Sequence, residues 1–159
     1  MNGGGGKGAY SLWSSGELGG GPPPGATKKE RRALFEKWLA ANMDVLRAAW
    51  DRSQVLRAES SLHEAMAVAL TYHAEHGGFA GMSSSWAEEL DPALEFNTSE
   101  TVFGEVSIRN PTRESVVLTT ESGSGQALCI AYDDSRSEHQ SYGTRDAQTV
   151  SECDGGGWL

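Results

Sequence analysis

Residues 26–76 contain neither glycine nor proline, the two residue types that most often interrupt a helix. Alanine, leucine, glutamate, lysine and arginine dominate this stretch, and all five are strong helix formers. Thr27, followed three positions later by Glu30, forms a capping box, and Gly77 stands where a C-terminal cap is expected. The sequence therefore predicts that nearly all of this stretch is helical.

Ser60 and Ser61 are the weakest point of the helical stretch. Ser61 with Glu64 forms a second capping box, which predicts a turn or sharp kink at residues 59–61. A second helix would then run over residues 62–76 and fold back on the first as a hairpin. The alternative is one helix that continues unbroken through the two serines.

The apolar residues of the first predicted helix lie mainly on one face, with spacings of three and four. A second helix of about 22 Å covers only half of a first helix of about 46 Å. Trp50 would face the helix pair and belong to the core. The apolar residues nearest the start would lack a helical partner, and burying each contributes about 1.5–3 kcal/mol. We expect them to pack on another part of this chain or on another chain, more so if the helix is unbroken: Leu34, Phe35, Trp38 and Leu39.

Beyond the helical stretch, a connector leads into a region of β-strands. Ser85 with Glu88 predicts a short capped helix over residues 86–90. From Thr101 onward the apolar period changes from 3.6 to 2, which is typical of strands. The predicted strands are residues 101–109, 115–121, 126–132 and, as a short fourth one, 148–152, with a polar loop over residues 133–148.

These elements predict an α+β fold class. A long helical hairpin would pack on a small antiparallel β-sheet of three or four strands, with a glycine-rich N-terminal arm and C-terminal tail. The predicted segments are the arm (1–26), the hairpin (27–78), the connector (79–100), the sheet (101–152) and the tail (153–159).

The net charge of −9 is unevenly distributed along the chain. Residues 77–159 carry fourteen acidic and only four basic side chains, whereas residues 27–76 are nearly neutral. This layout argues against general nucleic-acid binding, which requires a basic surface. The favoured interpretation of this acidity is that it keeps the chain soluble. The alternative is that the acidic part and the basic cluster Lys28-Lys29-Arg31-Arg32 attract basic partners or promote head-to-tail self-association.

One loop concentrates residues that bind metals or transfer protons: Asp133, Asp134, Glu138 and His139. Its spacing matches no cation-binding loop, because the glycine turn and the regularly spaced ligands are missing. A solvated acidic loop is therefore the favoured interpretation, and no metal or cofactor is predicted.

The two histidines near the end of the helical stretch, His73 and His76, are three residues apart on one face. A metal site would need further ligands, so we favour a role as cations at the helix C-terminus. Cys129 is predicted to be a small buried strand residue. Because the sequence shows no export signal, we expect Cys129 and Cys153 to be reduced thiols, with a disulfide between strand and tail as the alternative.

The sequence favours a non-enzymatic structural subunit of a larger oligomeric assembly, such as a virus or phage particle or a filament. Self-association or other protein subunits are the expected partners, in an intracellular setting, without a membrane span, nucleic acid or a small-molecule substrate. Two alternatives are a small acidic regulatory or chaperone-like module that binds a basic protein, and a metal-assisted hydrolase that uses the Asp/Glu/His loop. The predicted interface residues are Trp13, Leu34, Phe35, Trp38, Leu39, Trp86 and Trp158.

Overall fold

The computed structural model describes residues 9–16, 21–154 and 158. The remaining parts of the predicted arm and tail lie outside the described residues. The chain divides into two compact units, Met1–Ala49 and Trp50–Leu159. The described helices are α1 (Ala9–Ser14), α2 (Lys28–His76) and α3 (Ser84–Leu90), and the described strands are β1 (Phe96–Asn97), β2 (Val106–Arg109), β3 (Ser115–Glu121), β4 (Ala127–Asp133) and β5 (Gln140–Gly143).

Helix α2 is a single unbroken helix, so the predicted hairpin with a turn at residues 59–61 is wrong. The alternative of one continuous helix is confirmed. Ala58 and Leu62 lie on either side of the two serines and belong to the same buried cluster. Packing on both sides outweighs the weak helix preference of serine, which costs only a few tenths of a kcal/mol per residue.

Both predicted caps of α2 are present. The Glu30 backbone N–H donates to Thr27 Oγ1 over 3.1 Å, and the Thr27 hydroxyl donates to Glu30 Oε1 over 2.9 Å. At the other end, Gly77 adopts a φ of 77°, and its N–H donates to the His73 carbonyl over 2.8 Å. A left-handed residue of this kind is the usual helix terminator, and glycine adopts it without a steric penalty.

The strands form one mixed sheet in the order β1-β2-β3-β4-β5. Strands β2 to β5 are an antiparallel meander, and β1 pairs in parallel with β2. The predicted strands at 115–121 and 126–132 are confirmed to within one residue, whereas the first predicted strand is limited to Val106–Arg109. The fold class is therefore α+β, with a helix packed on five strands rather than a hairpin on three or four.

The edge strand β5 lies within the segment predicted to be a polar loop, and the strand predicted at 148–152 is a turn. β5 has the sequence Gln-Ser-Tyr-Gly, which has too few apolar residues to produce an alternating pattern. Its strand conformation depends on pairing with β4, where Tyr142 lies opposite Ile130. In the turn, the Cys153 N–H donates to the carbonyl of Val150 over 3.1 Å.

The main core lies between the sheet and the C-terminal part of α2. Alternate residues of β3 and β4 contribute one sheet face, and a helical stripe contributes the other side. The stripe ends at Val55, because the positions that continue it toward the N-terminus are occupied by charged residues such as Asp51 and Asp44. Members of this core on the helix and on β3 and β4 include Leu62, Met66, Tyr72, Val116, Leu118, Leu128 and Ile130.

The opposite face of the sheet carries a second buried cluster, in which the chain after β5 returns over β3 and β4. Cys129 of β4 and Cys153 of this returning segment form a disulfide, with their Cα atoms 5.9 Å apart. The expectation of two reduced thiols is therefore wrong, and the alternative of a bridge is confirmed. Gly143 leaves room for the bridge, since a Cβ there would lie 2.9 Å from Cys129 Sγ.

Helix α3 confirms the predicted short helix but not its cap. The Trp86 N–H donates to the hydroxyl of Ser83 over 3.2 Å, so Ser83 rather than Ser85 is the N-cap. The helix ends at Leu90, before Asp91 and Pro92, in keeping with the restriction that a proline places on the residue before it. Its Glu88 accepts a hydrogen bond from the backbone of Phe96 in β1, which connects α3 to the sheet edge.

Candidate functional site

The N-terminal unit contains a cluster of four aromatic rings, which we call the aromatic cluster: Tyr10, Trp13, Phe35 and Trp38. The Phe35 ring centroid lies 5.0 Å from that of Tyr10 and 5.3 Å from that of Trp13. These distances are typical of favourable aromatic pairs. Helix α1 thus supplies a partner within the chain for Phe35 and Trp38, and Trp13 itself is completely buried.

The same half of α2 also exposes large apolar side chains that the aromatic cluster does not cover. Val45 is 67% exposed, Met43 is 46% exposed and Leu34 is 39% exposed, while Leu39 is half-buried. Single exposed apolar residues are common on protein surfaces, whereas contiguous apolar patches mark interaction sites. Leu34 and Val45, eleven positions apart, lie on the same side of α2, and Met43 lies on the opposite side. The sequence predicts an interface role for Leu34 but for neither Met43 nor Val45.

Trp50, in the C-terminal unit, is 53% exposed, so its predicted place in a helix-pair core is wrong. That prediction depended on the hairpin, whose second helix is instead the continuation of the first. Leu56, on the same helix, is equally exposed. Trp50 is exposed because the segment that was expected to fold back over it continues α2 instead.

The two remaining predicted interface residues, Trp86 and Trp158, are half-buried within the C-terminal unit. The Trp86 ring packs edge-on against Tyr72, with the ring centroids 4.9 Å apart. The Trp158 indole N–H donates to the Cys129 carbonyl over 3.1 Å, and its ring lies 4.9 Å from that of His63. Both rings have partners in their own unit, so they are less available to another chain than Met43 or Val45.

In the loop after β4, the aspartates are engaged by neighbouring groups. Asp133 accepts hydrogen bonds from the Ser135 hydroxyl over 2.6 Å and from the Ser135 N–H over 2.9 Å, and these bonds lower the pKa of its carboxyl group. Asp134 Oδ2 lies 2.6 Å from His73 Nε2 at the end of α2. The loop therefore uses both carboxylates to hold its own conformation and to contact the helix.

The side chains of Tyr132 and His139 extend this hydrogen-bond network. Burial raises the pKa of the Tyr132 hydroxyl, and a hydrogen bond to Asp134 and the negative charge of that carboxylate raise it further. The same hydroxyl lies 3.3 Å from His139 Nδ1. This arrangement brings His73 to the predicted loop, a contact across 61 positions that no local sequence signal indicates. By contrast, Glu138 is exposed at the surface.

The chemistry of this loop is limited by its geometry. Within the described part of the chain, no three His, Cys, Asp or Glu side chains are placed to hold one metal ion. His76, the other histidine of the predicted pair, contacts its own helix, since its Nδ1 lies 3.0 Å from the carbonyl of Tyr72. Its role as a cation at the helix C-terminus stays a prediction.

Two surface concavities have contrasting linings. In the N-terminal unit, a concavity of about 520 Å³, here called the basic pocket, is lined by Tyr10, Lys28, Arg32, Phe35, Glu36 and Leu39. In the C-terminal unit, a cleft of about 420 Å³, here called the acidic cleft, has Glu95 and Glu121 among its lining residues, together with Arg57. Phe103 lies at the edge of the acidic cleft and is 65% exposed.

Comparison with known proteins gives no matching family model, no matching curated protein and no matching solved structure. Within the described residues, no helix combines the length and the apolar character that crossing a bilayer would require.

Proposed function

We propose that this chain is a non-enzymatic structural subunit of a larger oligomeric assembly, such as a virus or phage particle or a filament, held by packing of α2 and by its terminal arms. The observation that carries the proposal is the exposure of large apolar side chains along the first half of α2. Val45 and Met43 are the most exposed of these in the N-terminal unit.

The energetics of these side chains support packing between chains. Burying one such side chain fully contributes about 1.5–3 kcal/mol. Leu34 and Val45 are eleven positions apart, so they lie on the same side of α2 and could be buried together by one partner. Helix α1 already covers Phe35 and Trp38 in this way, with Trp13 completely buried. The packing of α1 on α2 is therefore an example, within one chain, of the packing that we propose between chains.

The metal-assisted hydrolase is the weaker alternative. Asp133 and Asp134, two of the three carboxylates that it would use, are engaged by Ser135 and by His73. Within the described residues, no three His, Cys, Asp or Glu side chains are placed to hold the metal ion that this reaction would need. The structural-subunit proposal requires no catalytic role for these carboxylates.

Light scattering across a concentration series tests the proposal, with Val45→Glu as the disrupting variant. The glutamate places a charge at the most exposed apolar position of the N-terminal unit, so the mass should fall toward that of the monomer. Ala40→Glu is the matched control, since Ala40 is an exposed small residue on the same helix but lies on the side away from Val45. A wild-type chain that stays monomeric at every concentration would contradict the proposal.

A further inference from the structure

We propose that copies of this chain associate head to tail, with Phe103 of one copy seated in the basic pocket of the next. This inference rests on the proposed function and names the two surfaces that meet. The occupant of the pocket is thus a second copy of the same chain. Three sets of observations support it: the exposure of Phe103, the charge around it, and the lining of the basic pocket.

Phe103 protrudes from the surface of the C-terminal unit. It is the most exposed large apolar residue among those described there, at 65%. It lies just before β2, in a turn where Gly104 has a φ of 84°. The chain on its other side is held by the bond from the Glu121 N–H to the Val102 carbonyl, 3.3 Å long. A large ring on a turn that is fixed by a backbone hydrogen bond is a preorganised anchor for an interface.

The surroundings of Phe103 are acidic. Glu95 and Glu121 line the acidic cleft beside it, and no other described side chain forms an ion pair with either carboxylate. Glu105 adds a third carboxylate nearby, which accepts a hydrogen bond from Asn97. Arg57 also lines the cleft, but the residues from 77 onward carry a strong excess of acidic side chains. An approaching cation is therefore attracted to this surface.

The basic pocket provides the complementary features. Its walls include Tyr10, Phe35 and Leu39, which suit an aromatic ring, and Lys28 and Arg32 supply positive charge. Its volume of about 520 Å³ exceeds what one phenylalanine side chain requires. Aromatic rings that meet edge to face attract each other beyond the effect of burying their area. Phe103 entering this pocket would place Glu95 and Glu121 near two cations.

Arg32 is available for such a contact. Its ion pair with Glu36 is 3.5 Å long, and both side chains are highly exposed, at 83% and 67%. Exposed pairs of this kind contribute little to stability, so Arg32 loses little when it turns toward a carboxylate of another copy.

The geometry of this contact determines the kind of assembly. The surface that donates Phe103 and the surface that receives it are different, so each copy offers one of each. Such heterologous contacts produce closed rings or open filaments, rather than two-fold dimers. Because charges surround the contact, its strength should also fall as salt concentration rises.

Charge reversal on each surface separately, followed by mixing, tests the proposal by sedimentation velocity. One variant carries Lys28→Glu with Arg32→Glu, and the other carries Glu95→Lys with Glu121→Lys. Each variant alone brings like charges together and should lose the head-to-tail complexes. An equimolar mixture restores opposite charges at every contact, so it should assemble again. Circular dichroism of each variant verifies that it folds.

Two further variants sharpen the result. Phe103→Ala removes the anchor without changing charge and should weaken association about tenfold or more, the scale of an interface hot spot. Lys29→Glu with Arg31→Glu changes the same charge beside the basic pocket but outside its lining, and should weaken association far less. An equal loss in this control would mean a general charge effect and would overturn the inference.

The outcomes separate this inference from the proposed function. If wild-type chains associate but Phe103→Ala and both charge-reversed variants associate equally well, the head-to-tail contact is excluded while the structural role survives. If the mixture fails to assemble although both variants fold, the pairing of these two surfaces is wrong. If wild-type chains are monomeric, the proposed function itself fails.

Discussion

The two halves of α2 share one helix but have opposite environments. In the C-terminal half, Leu62 and Ala65 are completely buried against the sheet. In the N-terminal half, Met43 and Val45 are exposed, and helix α1 covers only part of the surface. Helix formation and helix burial are therefore separate properties of this segment. Residue propensities and the two end caps favour the helical conformation along all of α2, whereas only its C-terminal half has a sheet to pack against.

Leu62→Ala should have the largest effect on this comparison. Leu62 is completely buried, so its truncation should lower the free energy of unfolding by about 2–5 kcal/mol. Leu56→Ala, at an exposed position of the same helix, should change it by less than about 0.5 kcal/mol. Urea denaturation of both variants measures the contrast. Equal losses would mean that the burial pattern of α2 is wrong.

The Cys129–Cys153 disulfide should contribute the next largest effect. It closes a loop between residues 24 positions apart, and removing such a bridge typically costs about 2–4 kcal/mol. Thermal unfolding of the wild-type chain should therefore shift downward when a dithiol reductant is present. Cys129→Ser with Cys153→Ser is the control, because its unfolding should not respond to the reductant. A wild-type chain that does not respond would contradict a stabilising bridge.

Glycine substitutions compare the two halves of α2 directly. Ala67→Gly, at an exposed site in the C-terminal half, should cost about 1 kcal/mol, the difference in helix propensity. Ala48→Gly should cost less than half as much, because the buried residues of α2 all lie in its C-terminal half and we expect the N-terminal half to open locally at a lower free energy. Urea denaturation at low protein concentration measures both. Equal costs would show that the helix unfolds as one unit.

The smallest expected effect belongs to Asp133 and depends on pH. The Ser135 bonds lower the pKa of Asp133 in the folded chain. The stability that they contribute is therefore present above the aspartate pKa of the unfolded chain and is lost as pH falls through the lower, folded value. Ser135→Ala should cost about 0.5–1.5 kcal/mol at neutral pH. In acid the variant and the wild type should converge, and a pH-independent difference would contradict this account.

Several elements could be predicted from the sequence because their signals are local. The Thr27 cap, the Gly77 terminator and strands β3 and β4 depend on residues within a few positions of one another. The candidate interface was recognised in part for the same reason, since the apolar spacing around Leu34 to Leu39 indicates a helix face. Its covering by Trp13 involves a separate segment, and the sequence left open whether that partner lies in this chain.

Sequence by itself thus determined that most of residues 27–76 is helical, that strands β3 and β4 are extended, and where the charge lies. Tertiary structure alone decided that α2 continues through Ser60 and Ser61, that Gln140–Gly143 pairs as an edge strand, and that Cys129 meets Cys153. The physical reason is that local propensities differ by less than about 1 kcal/mol per residue, whereas burial and pairing with distant residues contribute several. Where a distant partner exists, it overrides a weak local signal, and no local pattern identifies that partner.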